Sequence, residues 1–254
     1  MKINILTPSE LDKIREGGKI TAMVIKSVLD KAIPGVTTNE LDKYACDLIQ
    51  KAGGYPSFKM EKGYFWTTCM NVNDTVVHGI PGDYKLADGD RLGLDVGTFY
   101  KGFHTDASWS KIIGQQTTDN RLQKFLSTGE EALSEAIKMA VPGNHIGHIS
   151  QKIQEIVEGG GYSCVKQLVG HGVGRQLHED PEIPCFIRGK VEKTPIIREG
   201  MCLAIEIIYN EGKSPIVYGN SDGWTVVTRD GSLSGLFEHT VIITKSGPVI
   251  ATTP

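Results

Sequence analysis

One order of turns and acids occurs twice in this chain, and it constrains the fold more than any single motif. Ala32-Ile33-Pro34-Gly35 recurs as Ala140-Val141-Pro142-Gly143. Gly53-Gly54-Tyr55 recurs as Gly160-Gly161-Tyr162, and Gly89, Leu92 and Asp95 recur as Gly200, Leu203 and Glu206, at nearly the same spacing. Each half reads as helix, Pro-Gly turn, helix, Gly-Gly-Tyr, strand, His-Gly turn, then a strand bearing an acid. Such a repeat implies two similar α+β halves packed about a pseudo-twofold axis, with a site at the join. Each half alone would leave one face of its sheet and helices unburied. The expectation is therefore a single domain over residues 1–254, with halves at about 7–113 and 114–246.

Local signals agree with that order. Thr7, Pro8 and Glu10 make a capping box with proline at the first helical position, and Thr37 and Glu40 make a second box. The first helix is expected to weaken at Gly17-Gly18 and to end at Pro34-Gly35, and the second to stop at Gly53-Gly54. Residues 118–140 and 149–157 read as further helices. Residues 67–77, 162–169, 201–208, 224–228 and 237–244 read as strands, and 91–110 as a hairpin.

Four acids lie inside strand-like apolar runs: Asp95 in LGLDVG, Asp106 in HTDASW, Glu206 in LAIEII and Glu238 in LFEHTVII. None of these runs contains lysine or arginine. An ionised carboxylate buried without a positive partner costs several kcal/mol. A pair of divalent cations removes that cost, and carboxylates bridging two metals are a recurrent catalytic arrangement. The hairpin is expected to set Asp95 and Asp106 side by side. Histidine adds donors: His171 in VGHGVG, His178 in LHE before Pro181 and Pro184, and His78 in the matching turn of the first half. Flanking glycines let the backbone approach a ligand closely. His145 and His148 read as helix-start or surface residues. His104 and His239 adjoin candidate ligands and either support them or pack.

Composition excludes several classes. Hydrophobic residues at 39% and charged residues at 22% suit a globular domain with a sizeable core. A net charge of −3 supplies no bulk attraction to nucleic acid or to an anionic membrane. Five widely spaced cysteines with no CxxC point to a reducing compartment. No signal-peptide core is present, and no apolar run reaches the ~18 residues of a membrane span, so a cytoplasmic protein without a membrane partner is expected. There is no GxSxG, P-loop or GxGxxG.

The stretches VVHGIPG, GLDVG, GFHTDAS, GHGVGRQLHEDP, AIE, DGWTVVT and FEHT, in this order, resemble the type I methionine aminopeptidases of the pita-bread metallopeptidase family. The resemblance runs from about residue 7 to 244. The interval from His171 to Glu206 is too short for the extra subdomain of type II members, and no N-terminal zinc-binding extension is expected. The resemblance implies a curved antiparallel sheet flanked by helices. It also implies two divalent ions (Co, Mn, Fe(II) or Zn) held by Asp95, Asp106, His171, Glu206 and Glu238. Asp95 and Asp106 would hold one ion, His171 and Glu206 would complete the other, and Asp106 and Glu238 would bridge them. Glu206 would also shuttle a proton, while His78 and His178 would orient the peptide and stabilise the tetrahedral oxyanion. Tyr64, Cys69 and Trp224, with Phe58 nearby, would form the methionine pocket.

The implied activity is removal of initiator methionine from nascent proteins by metal-activated water. The implied partners are peptide or nascent-chain N-termini, with the ribosome as a further partner of a monomer and no specific nucleic acid. Glu61, Leu177, Ile207 and Leu236 depart from the family's usual pocket residues, which bears on the strictness of methionine preference rather than on hydrolysis. The alternatives are an Xaa-Pro aminopeptidase or dipeptidase of the same fold, which would carry an additional N-terminal domain, and a non-catalytic binding member, which would have lost ligands.

Overall fold

The computed structural model describes residues 3–114 and 119–253. Helices α1 (Pro8–Lys31) and α2 (Thr38–Lys51) come first, followed by strands β1 (Tyr55–Pro56), β2 (Thr68–Val72), β3 (Thr75–Val77), β4 (Arg91–Tyr100) and β5 (Phe103–Ile112). The second half begins with α3 (Asn120–Lys138) and α4 (Ile146–Gly159) and continues with β6 (Ser163–Cys164), β7 (Val169–Gly172), β8 (Glu179–Pro184) and β9 (Cys202–Asn210). It closes with β10 (Ile216–Tyr218), β11 (Val226–Thr228), β12 (Ser234–Thr244) and β13 (Gly247–Ile250). A 10-stranded sheet runs in the order β1-β4-β5-β12-β9-β7-β8, with β2 also on β4, β6 on β9 and β13 on β12. A 3-stranded sheet, β10-β11-β3, stands beside it. Every pairing is antiparallel.

Each helix pair covers its own part of the large sheet. Val24, Val28, Leu41, Ala45 and Ile49 of α1 and α2 pack on Leu92, Leu94 and Val96 of β4. Phe125, Leu133, Ile137, Ile149 and Ile153 of α3 and α4 pack on Ile205, Ile207, Phe237 and Val241 of β9 and β12. Each fully buried leucine, isoleucine or phenylalanine contributes about 1.5–3 kcal/mol. The same packing aims the acids. Side chains alternate across a strand, so Leu94 and Val96 under the helices turn Asp95 to the other face. Ile205 and Ile207 do the same for Glu206, and Phe237 for Glu238.

Several sequence expectations change in detail. Helix α1 runs straight through Gly17 and Gly18, because the glycines admit close neighbours. A Cβ on Gly18 would lie 2.3 Å from the Ala251 carbonyl oxygen, and one on Gly17 would lie 3.4 Å from Tyr100 Cβ. Both capping boxes form: Glu10 accepts the Thr7 N–H at 2.8 Å, and Glu40 accepts that of Thr37 at 2.8 Å. The run 67–77 is two strands, because Asn73 turns the chain in a left-handed conformation with φ 53°. The run 162–169 keeps only its two ends as strand, and 224–228 only its last three residues. The fourth helix is longer than its periodic stretch, starting at Ile146, while the third spans Asn120–Lys138. The expected start of that third helix at residue 118 lies outside the described residues. Strands β1, β8, β10 and β13 had no clear sequence signal, being short or broken by proline.

Candidate metal centre

Strand register lines the acids up across the sheet. Cys69 of β2 pairs with Asp95 of β4, and Asp95 pairs with Ser108 of β5. Ser108 pairs with Glu238 of β12, and Glu238 with Glu206 of β9. Asp106 lies two residues before Ser108 and so shares its face. His171 of β7 pairs with Ala204, two residues before Glu206. Asp95 and Asp106 are brought next to each other as expected, though diagonally rather than directly across the strands, since Asp106 lies opposite Gly97.

Hydroxyl groups splice the two halves together at β5 and β12. Thr240 Oγ1 accepts the Asp106 N–H at 2.8 Å and donates to the Asp106 carbonyl at 2.7 Å. Ser110 Oγ accepts the Leu236 N–H at 3.1 Å and donates to the Leu236 carbonyl at 2.9 Å. Ser108 and Glu238 stand between these two bridges, so the join carries acids from both halves. No sequence argument singled out Ser110 or Thr240. Hydroxyl residues two or four positions from an acid on the same strand were the available signal.

The electrostatics of the cluster call for cations. Donor atoms of Asp106, His171 and Glu238 all lie within 4.8 Å of one another. Glu206 Oε1 lies 3.9 Å from His171 Nε2, and Asp95 joins through Asp106. One oxygen each of Asp95, Asp106 and Glu238 is buried with no hydrogen-bond partner. Burial pushes all four carboxyl groups above their usual range, and the charges of Asp95 and Glu206 push Asp106 further. Among the described residues, no lysine or arginine lines the cavity around them. His171 Nδ1 sits 2.9 Å from the Gly172 carbonyl oxygen, which can only accept, so Nδ1 carries the proton and Nε2 keeps a free lone pair toward the acids. Burial lowers its pKa to about 3, which keeps the ring neutral. Orphaned carboxylate oxygens plus a neutral imidazole fit divalent cations.

The cavity continues into an aromatic pocket. Phe58, Tyr64, Cys69, Leu177 and Trp224 line it together with His78 and His178. Tyr64 and Trp224 meet edge to face with centroids 5.1 Å apart, and the Tyr64 hydroxyl donates to the Thr68 carbonyl at 2.9 Å. The rings of His171 and His178 lie 4.5 Å apart, and His78 faces Trp224 at 6.0 Å. Burial lowers the pKa of His78 to about 4 and lowers that of His178 as well. Of the four departures from the usual pocket residues, Glu61 and Leu177 line the cavity. Ile207 and Leu236 do not; they are packed in the core under α3 and α4. All candidate site residues named from the sequence share this cavity. The remaining histidines face elsewhere: His145 and His148 cap α4, His104 hydrogen-bonds Ser57 at 2.9 Å, and His239 hydrogen-bonds Thr252 at 2.9 Å.

Comparison with known proteins adds the family. The sequence profile of metallopeptidase family M24 matches residues 12–245. Methionine aminopeptidase 1 of Bacillus subtilis is 42% identical over 241 residues, 95% of each chain. The crystal structure of a methionine aminopeptidase from Thermotoga maritima superposes with a TM-score of 0.95 at 40% identity, covering 100% of both chains. A prolidase from Pyrococcus furiosus shares the fold at a TM-score of 0.77 and 21% identity; the match covers 98% of this chain and 65% of that one.

Proposed function

The chain belongs to metallopeptidase family M24, and from that premise we propose that it is an aminopeptidase removing N-terminal methionine from peptides and nascent chains. The observation that carries this reading is a cradle of buried, unpartnered carboxylates opening directly into an aromatic pocket. We assign five ligands to two divalent ions. Asp95 and Asp106 would hold one, His171 and Glu206 would complete the other, and Asp106 and Glu238 would serve both. The two halves thus act as one catalytic domain, since each supplies ligands. The donor set of four carboxylates and one imidazole suits Mn, Fe(II), Co or Zn. Bound there, divalent ions lower the pKa of water and polarise a peptide carbonyl.

The chain's own groups supply the rest. Glu206, its carboxyl pKa raised by burial, takes and returns a proton at its carboxylate. His78 and His178, both kept neutral by burial, donate ring N–H groups to the peptide and to the oxyanion that develops on its carbonyl. Tyr64, Cys69, Trp224 and Phe58 surround the methionine side chain, whose polarisable thioether suits aromatic and sulfur neighbours. The acids also favour a free α-ammonium, which makes the activity an exopeptidase one. Five free cysteines, four of them buried, support a reducing compartment, and we extend the reading to a cytoplasmic monomer acting on chains leaving the ribosome.

A peptide panel tests the function: Met-Ala-Ser, Leu-Ala-Ser and Ala-Pro-Ala, each with added Mn, Co, Fe(II) or Zn. Release of methionine alone supports the proposal. Cleavage of Ala-Pro-Ala alone would transfer the chain to the Xaa-Pro class, and no cleavage with any metal would make it a binding protein.

A further inference from the structure

Arg91, at the start of β4, heads the largest fully buried side chains among the described residues. A buried guanidinium ordinarily pairs with a carboxylate, because an isolated buried charge costs several kcal/mol. Among the described residues no carboxylate forms an ion pair with Arg91, and Asp74 acts on it only at longer range. Burial lowers its pKa to about 10, so it stays charged at neutral pH. Backbone carbonyls take the place of the missing anion. Nη1 donates to the Asn71 carbonyl at 3.1 Å, and Nη2 donates to the carbonyls of Asn73 and of Thr75, the latter at 2.9 Å. Gly93 makes room, since a Cβ there would lie 2.6 Å from Nη1.

The three carbonyls bracket the turn between β2 and β3, with Asn71 on β2, Asn73 in the turn and Thr75 at the start of β3. In that turn Asn73 is in left-handed backbone at φ 53°, and its side chain donates to Asp90 at 2.8 Å and accepts the Arg91 N–H at 3.0 Å, so the turn is tied to the start of β4 by side chain and guanidinium together. Two routes lead from it to the pocket. The Asn71 side chain accepts the Gly79 N–H at 2.9 Å, next to His78, which is itself left-handed at φ 56°. The Asp74 carbonyl accepts the Thr228 N–H at 2.9 Å and β3 pairs with β11, the strand that Trp224 leads into.

We propose that Arg91 is a positioning residue: a tethered internal cation that gathers the Asn71, Asn73 and Thr75 carbonyls and thereby sets His78 and the Trp224 wall against the metal cradle. The proposal rests on the aminopeptidase reading for its kinetic consequence but not for its structural one.

The test uses four proteins: the parent, Arg91→Met, His78→Ala and the double variant. The first readout needs no activity. The His78 ring resonance, assigned by its loss in His78→Ala, should shift in Arg91→Met while those of His145 and His148 stay; an unmoved His78 resonance overturns the proposal. The second is kinetic, on Met-Ala-Ser with Mn. Arg91→Met should lose about 100-fold in kcat, as a small misplacement does, with Mn affinity by calorimetry within about threefold of the parent. In the His78→Ala background the same change should cost less than about threefold. Parental kcat in Arg91→Met, an undiminished loss without His78, or Mn affinity falling in step with activity would each overturn it. A parent that cleaves no peptide defeats the aminopeptidase reading and leaves the resonance test standing. If Arg91→Met does not fold, Arg91→Lys replaces it in both readouts, with a loss of about tenfold that again vanishes without His78.

Discussion

His171 lies within strand β7, where it pairs with Ala204 of β9 while the register with β8 shifts between Gly170 and Gly172. His78, at the matching place in the first half, follows β3 in left-handed backbone at φ 56°. The two come from the same His-Gly pattern, yet one ring reaches the acids while the other faces Trp224. Sheet register holds the first: a strand's pairing decides which face its side chains take. Bonds from Gly79 to β2 hold the second: its N–H donates to the Asn71 side chain at 2.9 Å and its carbonyl accepts the Met70 N–H at 2.8 Å. A duplicated turn can therefore serve the metal cradle in one half and the substrate wall in the other, because only one copy stays in the sheet.

The most severe way to break this comparison is His171→Ala. It should lose about 10³-fold or more in kcat/KM together with metal binding. Asp106→Asn should do the same, and retention of full metal stoichiometry by either variant would remove that residue from the ligand set. His78→Ala and His178→Ala should instead keep their metal by calorimetry and lose about 10²–10³ in kcat, the usual effect of deleting an oxyanion donor. Metal loss in His178→Ala would make it a ligand.

Stability adds a second axis, because the buried carboxyl groups and the buried histidines answer pH with opposite sign. The folded pKa of Asp106 is raised, so its contribution is present below the unfolded value and is lost as pH rises through the folded one. Metal-free Asp106→Asn should therefore be more stable than the metal-free parent at pH 7, by about 1–2 kcal/mol in urea melts, while gaining nothing from added metal. The folded pKa values of His171 and His78 are lowered to about 3 and about 4. The unfolded chain then binds more protons below about pH 6.5, and stability should fall as pH drops from there toward 4 and 3. His78→Ala should flatten that slope; an unchanged slope would show that the ring is not held neutral by the fold. At the seam, Thr240→Val strands the Asp106 N–H and should cost about 1–2 kcal/mol.

Much of this molecule was legible before folding. The caps at Thr7 and Thr37 form as written, and the acids named from apolar strand runs share one cavity with His78, His171 and His178. Other readings failed where distant neighbours intervened. Gly17 and Gly18 looked like a helix weakness but serve as contact surfaces for Tyr100 and Ala251. Ile207 and Leu236 looked like pocket residues but belong to the core.

By itself the sequence determined the donor types, their order and which strand neighbours point away from each, because alternation along a strand and the cost of burying an unpaired charge are local properties. Only the tertiary structure decided that Asp95 and Asp106 sit diagonally, that Glu238 stands beside Ser108, and that the β2–β3 turn closes on Arg91. Those outcomes depend on register between strands far apart in the chain, and register follows from which buried faces and backbone groups find partners across the sheet, which no single stretch encodes.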